Sequence, residues 1–159
     1  MIRFTKTKMT LKEYNKKRNF KKTSEPEVKI VKKKSGKLIY VIQFHRASHD
    51  HYDLRLEMNG VLKSWAIPKE PPKVKGVKRL AIQTEDHPIG YEKFEGEILE
   101  GQYGAGKVKI WDSGTYELKD KDKKKIEIII HGKKLKGNYV LVKTNYGSKP
   151  EKSWLFFKV

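Results

Sequence analysis

Short strand-like segments separated by turn residues recur from about residue 28 to the C-terminus of the chain, and they limit its possible folds more than any other feature. The apolar and β-branched residues of this region follow no long helical period, and turns rich in glycine, proline or lysine interrupt them about every eight to twelve residues. Roughly eight to ten short strands at this spacing are typical of an antiparallel barrel or sandwich and disfavour a β-α-β fold. The expected strands are 28–31, 38–44, 51–58, 61–67, 79–85, 94–99, 108–111, 116–118, 126–130, 139–142 and 154–159.

The first 22 residues are predicted to form a basic arm and a short helix, ahead of a single domain over 23–159. Thr10 and Glu13 have the T-x-x-E spacing of a capping box, which predicts a helix that continues to about Phe20. The arm lacks the apolar core of a signal peptide, and no run of about 18 apolar residues occurs in the chain. The chain has no cysteine, which excludes disulfides and thiolate metal sites. We therefore expect a cytoplasmic protein without a membrane span.

The charge balance favours a polyanionic partner. The chain carries 37 Lys and Arg against 19 Asp and Glu, a net charge of +18. Such a surface attracts nucleic acid through electrostatic steering and counterion release. A lysine-coated soluble protein and a protein that binds anionic membrane surfaces have similar compositions, so a defined phosphate-handling site is needed to decide between them.

The stretch from Gln43 to Glu57, QFHRASHDHYDLRLE, concentrates polar side chains that can perform chemistry. Asn59-Gly60 follows it between apolar residues, and this dipeptide is the strongest short hairpin signal, so the segment is expected to be a strand that folds back onto 61–67. Side chains alternate across a strand. One face of this strand is therefore apolar, and the other carries His51, Asp53, Arg55 and Glu57.

Two imidazoles and a carboxylate on one face are a common ligand set for a divalent transition metal that leaves positions open for water and substrate. His51 and Asp53 supply two of the three ligands, and either His45 or His49 could be the third. The segment 46–50 interrupts the alternation and is read as a loop or bulge, which would allow His45 to return to the metal. The alternative is that these are exposed histidines at a hairpin edge.

Phosphate recognition is the second chemistry that these residues suggest. The guanidinium of Arg55 matches two phosphate oxygens, although an ordinary pair with Glu57 is the simpler interpretation. His87, in Glu-Asp-His-Pro at a strand end, is a candidate phosphate clamp or general acid. Gln43 and Lys69 are weaker candidates. GQYGAG at 101–106 is interpreted as a tight connection, and Trp residues 65, 111 and 154 are expected to pack in the core.

In order along the chain, five segments resemble the 3′-phosphoesterase domain of bacterial DNA ligase D and its stand-alone relatives. They are QFHRASHDHYDLRLEMNGVLKSWAIPK at 43–69, RLAIQTEDHPIGYEKFEG at 79–96, EGQYGAGKVKIWDSGTYE at 100–117, and HGKKLKGNYVLVKT at 131–144 with SWLFFK at 153–158. The H-x5-H-x-D-x-R element followed by E-D-H-P is specific to this family. The resemblance runs from about Arg18 to the C-terminus and implies a free-standing enzyme folded as a compact antiparallel β-barrel.

The resemblance also implies roles for individual residues. It assigns a manganese ion to His45, His51 and Asp53, and so selects His45 over His49. Around the scissile phosphate, or in support of the residues that contact it, it places Arg55, His87, Gln43, Lys69 and Glu85. Arg18 and Glu25 match the family pattern R-D-F followed by T-x-E-P, in which Asn19 here replaces the acid.

The activity that the resemblance implies is processing of DNA 3′ ends. Removal of a terminal ribonucleoside leaves a 3′-phosphate, and hydrolysis of that phosphate leaves a 3′-hydroxyl. The implied partners are DNA or RNA-containing primer-template ends and a separate ligase and polymerase of end joining, with the enzyme itself a monomer. A non-catalytic nucleic-acid-binding β-barrel is the alternative. A cupin-like oxygenase would need a second histidine motif that the sequence lacks.

Overall fold

The computed structural model describes residues 11–18, 20, 25–26 and 37–159. These residues form one helix, α1 (Lys12–Lys16), two 3₁₀ turns (Tyr91–Lys93 and Pro150–Lys152) and a series of strands. The strands are β1 (Leu38–Arg46), β2 (His51–Met58), β3 (Val61–Ile67), β4 (Lys78–Pro88), β5 (Gly96–Ile98), β6 (Gly106–Lys121), β7 (Lys125–His131), β8 (Lys136–Lys143) and β9 (Ser153–Lys158). No helix among the described residues is long and apolar enough to cross a membrane.

The sheet closes on itself. Hydrogen-bonded neighbours follow the order β1-β2-β3-β4-β9-β8-β7-β6, and β6 pairs back with β1. Each of these pairings is antiparallel, and β5 adds to the first residues of β6 outside the ring. The described residues therefore form a closed eight-stranded antiparallel β-barrel with one short helix. This confirms the predicted barrel, and closure leaves its strands without free edges.

The main hydrophobic core fills the barrel. Its buried residues come from all eight strands of the ring, as they must if they lie inside it. Trp65 and Trp154 belong to this core and meet edge to face with 6.0 Å between ring centroids. Trp111 is half-buried and packs against the same core. Core packing was the prediction for all three tryptophans. Because side chains fill the interior of the barrel, a polar site must lie on its outer wall.

A second, smaller cluster lies on that outer wall. Its buried members are Tyr14, Leu62, Tyr91, Phe94, Ile98 and Val108. Tyr14 belongs to α1 and Tyr91 to the first 3₁₀ turn. These two elements therefore cover part of the outer face of β1–β4, which is the face that carries the polar residues of β2.

Some predicted features of the strands are confirmed, and several predicted boundaries differ from those in the structure. The hairpin at Asn59-Gly60 is confirmed, with φ of 52° and 80° at the two residues, as a two-residue I′ turn requires. The predicted strands 108–111 and 116–118 form one continuous strand, β6. Gly114 lies within this strand and does not end it. The backbone at His131 approaches Gly114 so closely that a Cβ there would lie 2.1 Å from the His131 carbonyl oxygen.

At the N-terminus, α1 ends at Lys16 and not near Phe20. The predicted arm, Thr10 of the capping box, Asn19 and the predicted strand 28–31 lie outside the described residues.

One buried aspartate of β6, Asp112, joins the turn between β7 and β8 to Tyr40 of β1, and its replacement tests the packing described above. Asp112 Oδ1 accepts hydrogen bonds from the backbone N–H groups of Lys133 and Lys134, and Oδ2 accepts from the N–H of Leu135 and the hydroxyl of Tyr40. An amide has only one acceptor oxygen, so Asp112→Asn leaves two donors facing an NH₂ group. We expect a loss of roughly 2–4 kcal/mol in the free energy of unfolding, or roughly 5–15 °C in melting temperature.

Asp122→Asn is the matched control, because both backbone donors there, the N–H groups of Lys124 and Lys125, bind one exposed oxygen that asparagine retains. Burial alone raises the pKa of Asp112, but the hydrogen bonds it accepts outweigh burial and hold that pKa below its ordinary value. The wild-type advantage should therefore be present at neutral pH and shrink as the pH falls below about 4. Equal melting temperatures for the two variants would contradict the assignment.

Candidate active site

The polar face of β2 faces outward and is aligned with its neighbours by strand register. His51 pairs directly with His45 of β1, and Arg55 pairs with Ser64 of β3. Asp53 lies between Gln43 and the β3 residue Ala66. Cross-strand partners project from the same face of a sheet, so the register alone brings two histidines and an aspartate together.

His45, His51 and Asp53 form a group that could hold a metal ion, with one ligand atom from each within 4.8 Å of the others. Asp53 Oδ1 is 3.3 Å from His51 Nε2, and Asp53 Oδ2 is 3.7 Å from His45 Nδ1. His45 Nε2 is buried without a hydrogen-bond partner. Two nitrogens and a carboxylate at this spacing, with one buried nitrogen unsatisfied, fit a divalent transition metal.

His49 contacts His51 through its backbone carbonyl group. It is exposed in the loop after β1, and its carbonyl oxygen lies 2.9 Å from His51 Nδ1. When Nδ1 donates to that carbonyl, His51 Nε2 carries the lone pair and faces Asp53, the arrangement that commonly orients metal-binding histidines. Of the two histidines that sequence reasoning left open, the structure brings His45 into the cluster.

The charges of the cluster are strongly coupled. Burial alone raises the pKa of Asp53, but the Arg55 guanidinium and contacts with His45 and His51 outweigh burial and hold that pKa far below its usual range. Burial alone lowers the pKa of His51, and the Asp53 carboxylate reverses this, so the pKa of His51 lies above its ordinary value. Asp53 is therefore an anion at neutral pH, as a metal ligand must be.

Arg55 is buried and held on three sides. Its Nε donates to Gln43 Oε1 at 2.7 Å and its Nη1 to Ser64 Oγ at 2.8 Å. Its guanidinium lies over the ring of Tyr91, 4.8 Å from the centroid. Its Nη2 is 3.5 Å from Asp53 Oδ2, so this edge of the guanidinium faces the candidate metal cluster.

Gln43 supports Arg55 and does not project into open space. Its side chain is fully buried, and its Nε2 donates to the carbonyl oxygens of Tyr91 at 2.8 Å and Phe94 at 3.1 Å. It thus links Arg55 to the 3₁₀ turn that covers the outer wall.

His87 lies between two arginines. Its Nδ1 is 3.2 Å from Arg55 Nη1, and its Nε2 is 3.3 Å from Arg18 Nη2. Burial, and next the positive charges of Arg55 and Arg18, hold the pKa of His87 well below its ordinary value. His87 is therefore a neutral imidazole at neutral pH.

Arg18 brings the N-terminal segment into the site. Its side chain is buried and pairs with Glu25 at 3.1 Å and with Glu85 at 3.2 Å. Glu25 also accepts a hydrogen bond of 2.6 Å from the Tyr91 hydroxyl. Lys17, next to Arg18, reaches Glu85 at 3.5 Å. Buried opposite charges joined in this way position one another.

These residues surround an outer-wall cavity of about 320 Å³. The predicted residues in its wall are His45, His51, Asp53, Arg55, Glu85 and His87. Arg18, Glu25 and Gln43 lie directly behind this wall. Lys69 is exposed in the loop after β3 and does not line the cavity.

Sequence reasoning missed Ser64, Tyr91 and Tyr103. Ser64 could have been found, because the two-residue turn at Asn59-Gly60 fixes the register and places it opposite Arg55. Tyr91 and Tyr103 come from irregular segments that no periodicity connects to β2. Tyr103 lines the cavity within GQYGAG, which the sequence suggested was only a connection.

Comparison with known proteins identifies the family. The family model described as the DNA ligase D 3′-phosphoesterase domain matches residues 43–143, which is more than half of the chain. The chain belongs to this family. The resemblance seen in the sequence is thereby confirmed, and the matched range contains the three candidate metal ligands and Arg55.

Curated relatives of this 3′-phosphoesterase family agree. A Pseudomonas aeruginosa protein called multifunctional non-homologous end joining protein LigD is 45% identical over 154 residues, covering 93% of this chain. A Mycobacterium tuberculosis protein called multifunctional non-homologous end joining DNA repair protein LigD is 46% identical over 140 residues, covering 85% of this chain. The chain spans only 18% of the length of each.

Proposed function

We propose that this protein is a metal-dependent phosphoesterase that processes DNA 3′ ends. It removes 3′-phosphates and 3′-terminal ribonucleosides from primer strands and leaves a 3′-hydroxyl. Family membership supports DNA end processing by a hydrolase. The observation that carries the proposal is the convergence of His45, His51 and Asp53 beside the buried guanidinium of Arg55 in one cavity.

Mn²⁺ is the proposed ion, held by the two histidines and Asp53. When bound, it would neutralise negative charge on a non-bridging phosphate oxygen. The donor set of two imidazoles and one carboxylate suits Mn²⁺ and other divalent transition metals. The depressed pKa of Asp53 keeps the carboxylate ready to bind a cation.

The protein contributes a preorganised positive environment. Arg55 is held by Gln43 and Ser64, so its Nη2 is already positioned when a phosphate arrives. Preorganised charge of this kind is often the largest contribution to phosphoryl transfer. His87 is neutral and contacts both Arg55 and Arg18, so its proposed role is to help position the two guanidinium groups beside the phosphate. We propose that water attacks phosphorus directly, breaking the bond to the 5′ oxygen of the ribonucleoside in the first step and the bond to the primer 3′ oxygen in the second. Where the preceding sugar is a ribose, its 2′-hydroxyl is the alternative nucleophile of the first step, and the 2′,3′-cyclic phosphate that it forms is then opened by water. For hydrolysis of the 3′-phosphate, inversion at an isotopically chiral phosphorus is expected for direct attack and retention for a covalent enzyme intermediate.

The remaining roles concern partners. The net charge of +18 suits a DNA or RNA-containing primer-template, with the surface holding the duplex or tail. Lys69, exposed beyond the cavity, is proposed as a phosphate contact along the strand. A separate ligase and polymerase of end joining are the proposed protein partners, and the cytoplasm is the proposed location.

The test is release of inorganic phosphate from a primer-template with a 3′-phosphate end, measured with Mn²⁺ and with chelator. We expect release only with metal, and conversion of a primer that ends in one ribonucleotide to a 3′-hydroxyl end through a 3′-phosphate. A matched 5′-phosphate end should be left intact.

Failure to release phosphate with any divalent metal would overturn the proposal. If DNA affinity then fell with salt and survived chelation, the nucleic-acid-binding barrel would be the better description.

A further inference from the structure

Tyr103 presents an exposed aromatic ring at the wall of the candidate active site. Its side chain is 47% exposed, although it lines the same cavity as the metal cluster and Arg55. Among the described residues that line this cavity, it is the one with a phenyl ring, and the others are polar or small. An aromatic ring in a polar cavity wall suggests a ligand with an apolar face.

The ring lies close to the candidate metal ligands. Gly104 follows it, and a Cβ placed on Gly104 would lie 3.4 Å from His45 Cε1. The turn that carries Tyr103 is closed by backbone hydrogen bonds from Gln102 to Leu99 and from Ala105 to Gln102, each 3.1 Å long. Tyr103 thus belongs to a hydrogen-bonded turn whose next residue approaches a candidate metal ligand closely.

Two cations support the ring from the side of α1. The ammonium of Lys17 lies 4.5 Å from the ring centroid and 3.3 Å from the Tyr103 hydroxyl. The guanidinium of Arg18 lies 5.4 Å from the same centroid. These contacts restrict the ring, and the exposed surface of Tyr103 is available to a ligand.

We propose that Tyr103 stacks on the nucleobase of the 3′-terminal nucleotide and so sets a preference for ends that carry a base. The inference rests on the proposed function, because a phosphate at the metal cluster brings its nucleoside to this wall. Nucleobases stack on aromatic rings regardless of sequence, since every base has a π-face. Tyr103 is therefore a specificity determinant that selects for a base and not for a particular base.

The test compares two 3′-phosphate ends, one with a terminal deoxyadenosine and one with an abasic terminal residue. For the wild type, kcat/KM on the base-bearing end should exceed that on the abasic end by about 5- to 100-fold. Tyr103→Ala should reduce this ratio to near one. Tyr103→Phe keeps the ring and loses the bond to Lys17, so the preference should remain.

Tyr146→Ala is the matched control, because Tyr146 is 71% exposed and lies in the loop after β8, outside the cavity wall. Its ratio should equal that of the wild type. An unchanged ratio in Tyr103→Ala, or loss of the preference in Tyr103→Phe, would overturn the inference. If Tyr103→Ala shows no melting transition, Tyr103→Leu, which keeps apolar bulk beside Lys17, takes its place.

A second measurement needs no turnover. DNA with 2-aminopurine as the 3′-terminal base is titrated with protein in the presence of chelator, and stacking is read from fluorescence quenching. We expect quenching with wild type, Tyr103→Phe and Tyr146→Ala, and little with Tyr103→Ala. Equal quenching by all four proteins would refute stacking. This measurement decides the inference even if the wild type releases no phosphate, in which case the proposed function alone fails.

Discussion

Replacement of Asp53 by asparagine is expected to weaken Mn²⁺ binding by at least about 100-fold and to slow 3′-phosphate release by about 10³-fold. Asp53 is the one carboxylate of the candidate metal group, lying within 3.3 Å of His51 and 3.7 Å of His45. Asparagine keeps the shape and an oxygen for Arg55, but it removes the negative charge that attracts the cation. Metal affinity is measured by calorimetry or by electron paramagnetic resonance without DNA, and activity by phosphate release.

Asp50→Asn is the matched control for this substitution. Asp50 is exposed in the loop between β1 and β2, so its loss removes one negative charge near the cavity without touching the ligand group. It should bind Mn²⁺ nearly as well as the wild type. Wild-type metal affinity in Asp53→Asn, with an unchanged melting temperature, would show that the metal site is elsewhere.

Replacement of Arg55 by lysine is expected to reduce kcat for 3′-phosphate release by roughly 10²- to 10³-fold while metal affinity changes little. The guanidinium uses Nε and Nη1 to bind Gln43 and Ser64 and directs Nη2 toward Asp53. An ammonium keeps the charge but cannot hold these partners and a phosphate in one plane. Lysine is preferred to alanine here because alanine would leave Asp53 as a buried charge without its guanidinium partner.

Arg46→Lys is the matched control, because Arg46 is exposed at the end of β1 and lysine keeps its positive charge. Its activity should stay close to wild type. Full activity in Arg55→Lys would mean that the planar, positioned guanidinium is not needed, and loss of metal binding would mean that Arg55 acts through Asp53.

Much of the barrel could be predicted because its signals are local. The Asn59-Gly60 turn and the alternation of faces along β2 depend only on neighbours in sequence, and both are found in the structure. Two strands were predicted in place of β6, because a glycine such as Gly114 is typical of a turn. The close approach of the His131 carbonyl oxygen, which leaves no room for a side chain at Gly114, is visible only in the folded chain. Closure pairs β1 with β6, two strands that lie far apart in the sequence, and no local pattern encodes it.

The candidate site was also predictable where the signal is local, and not where it depends on contacts between distant segments. Alternation correctly grouped His51, Asp53 and Arg55, but the loop before β2 hides the register that pairs His45 with His51. The family resemblance selected His45 where spacing could not. The role of Gln43 as a support for Arg55, and the position of Tyr103, depend on loops packing against the outer wall, which only the folded chain shows.

The division between barrel and N-terminal segment has a consequence for how activity arises. No described strand precedes Leu38, yet Arg18 and Glu25 complete the network around Glu85, His87 and Tyr91. The barrel core contains no described residue of this N-terminal segment, so we expect the core to form without it. The segment is held against the barrel by buried ion pairs and by the apolar contacts of Tyr14. We therefore expect sequence changes at Arg18 or Glu25 to alter the surroundings of Glu85 and His87 while the barrel stays folded.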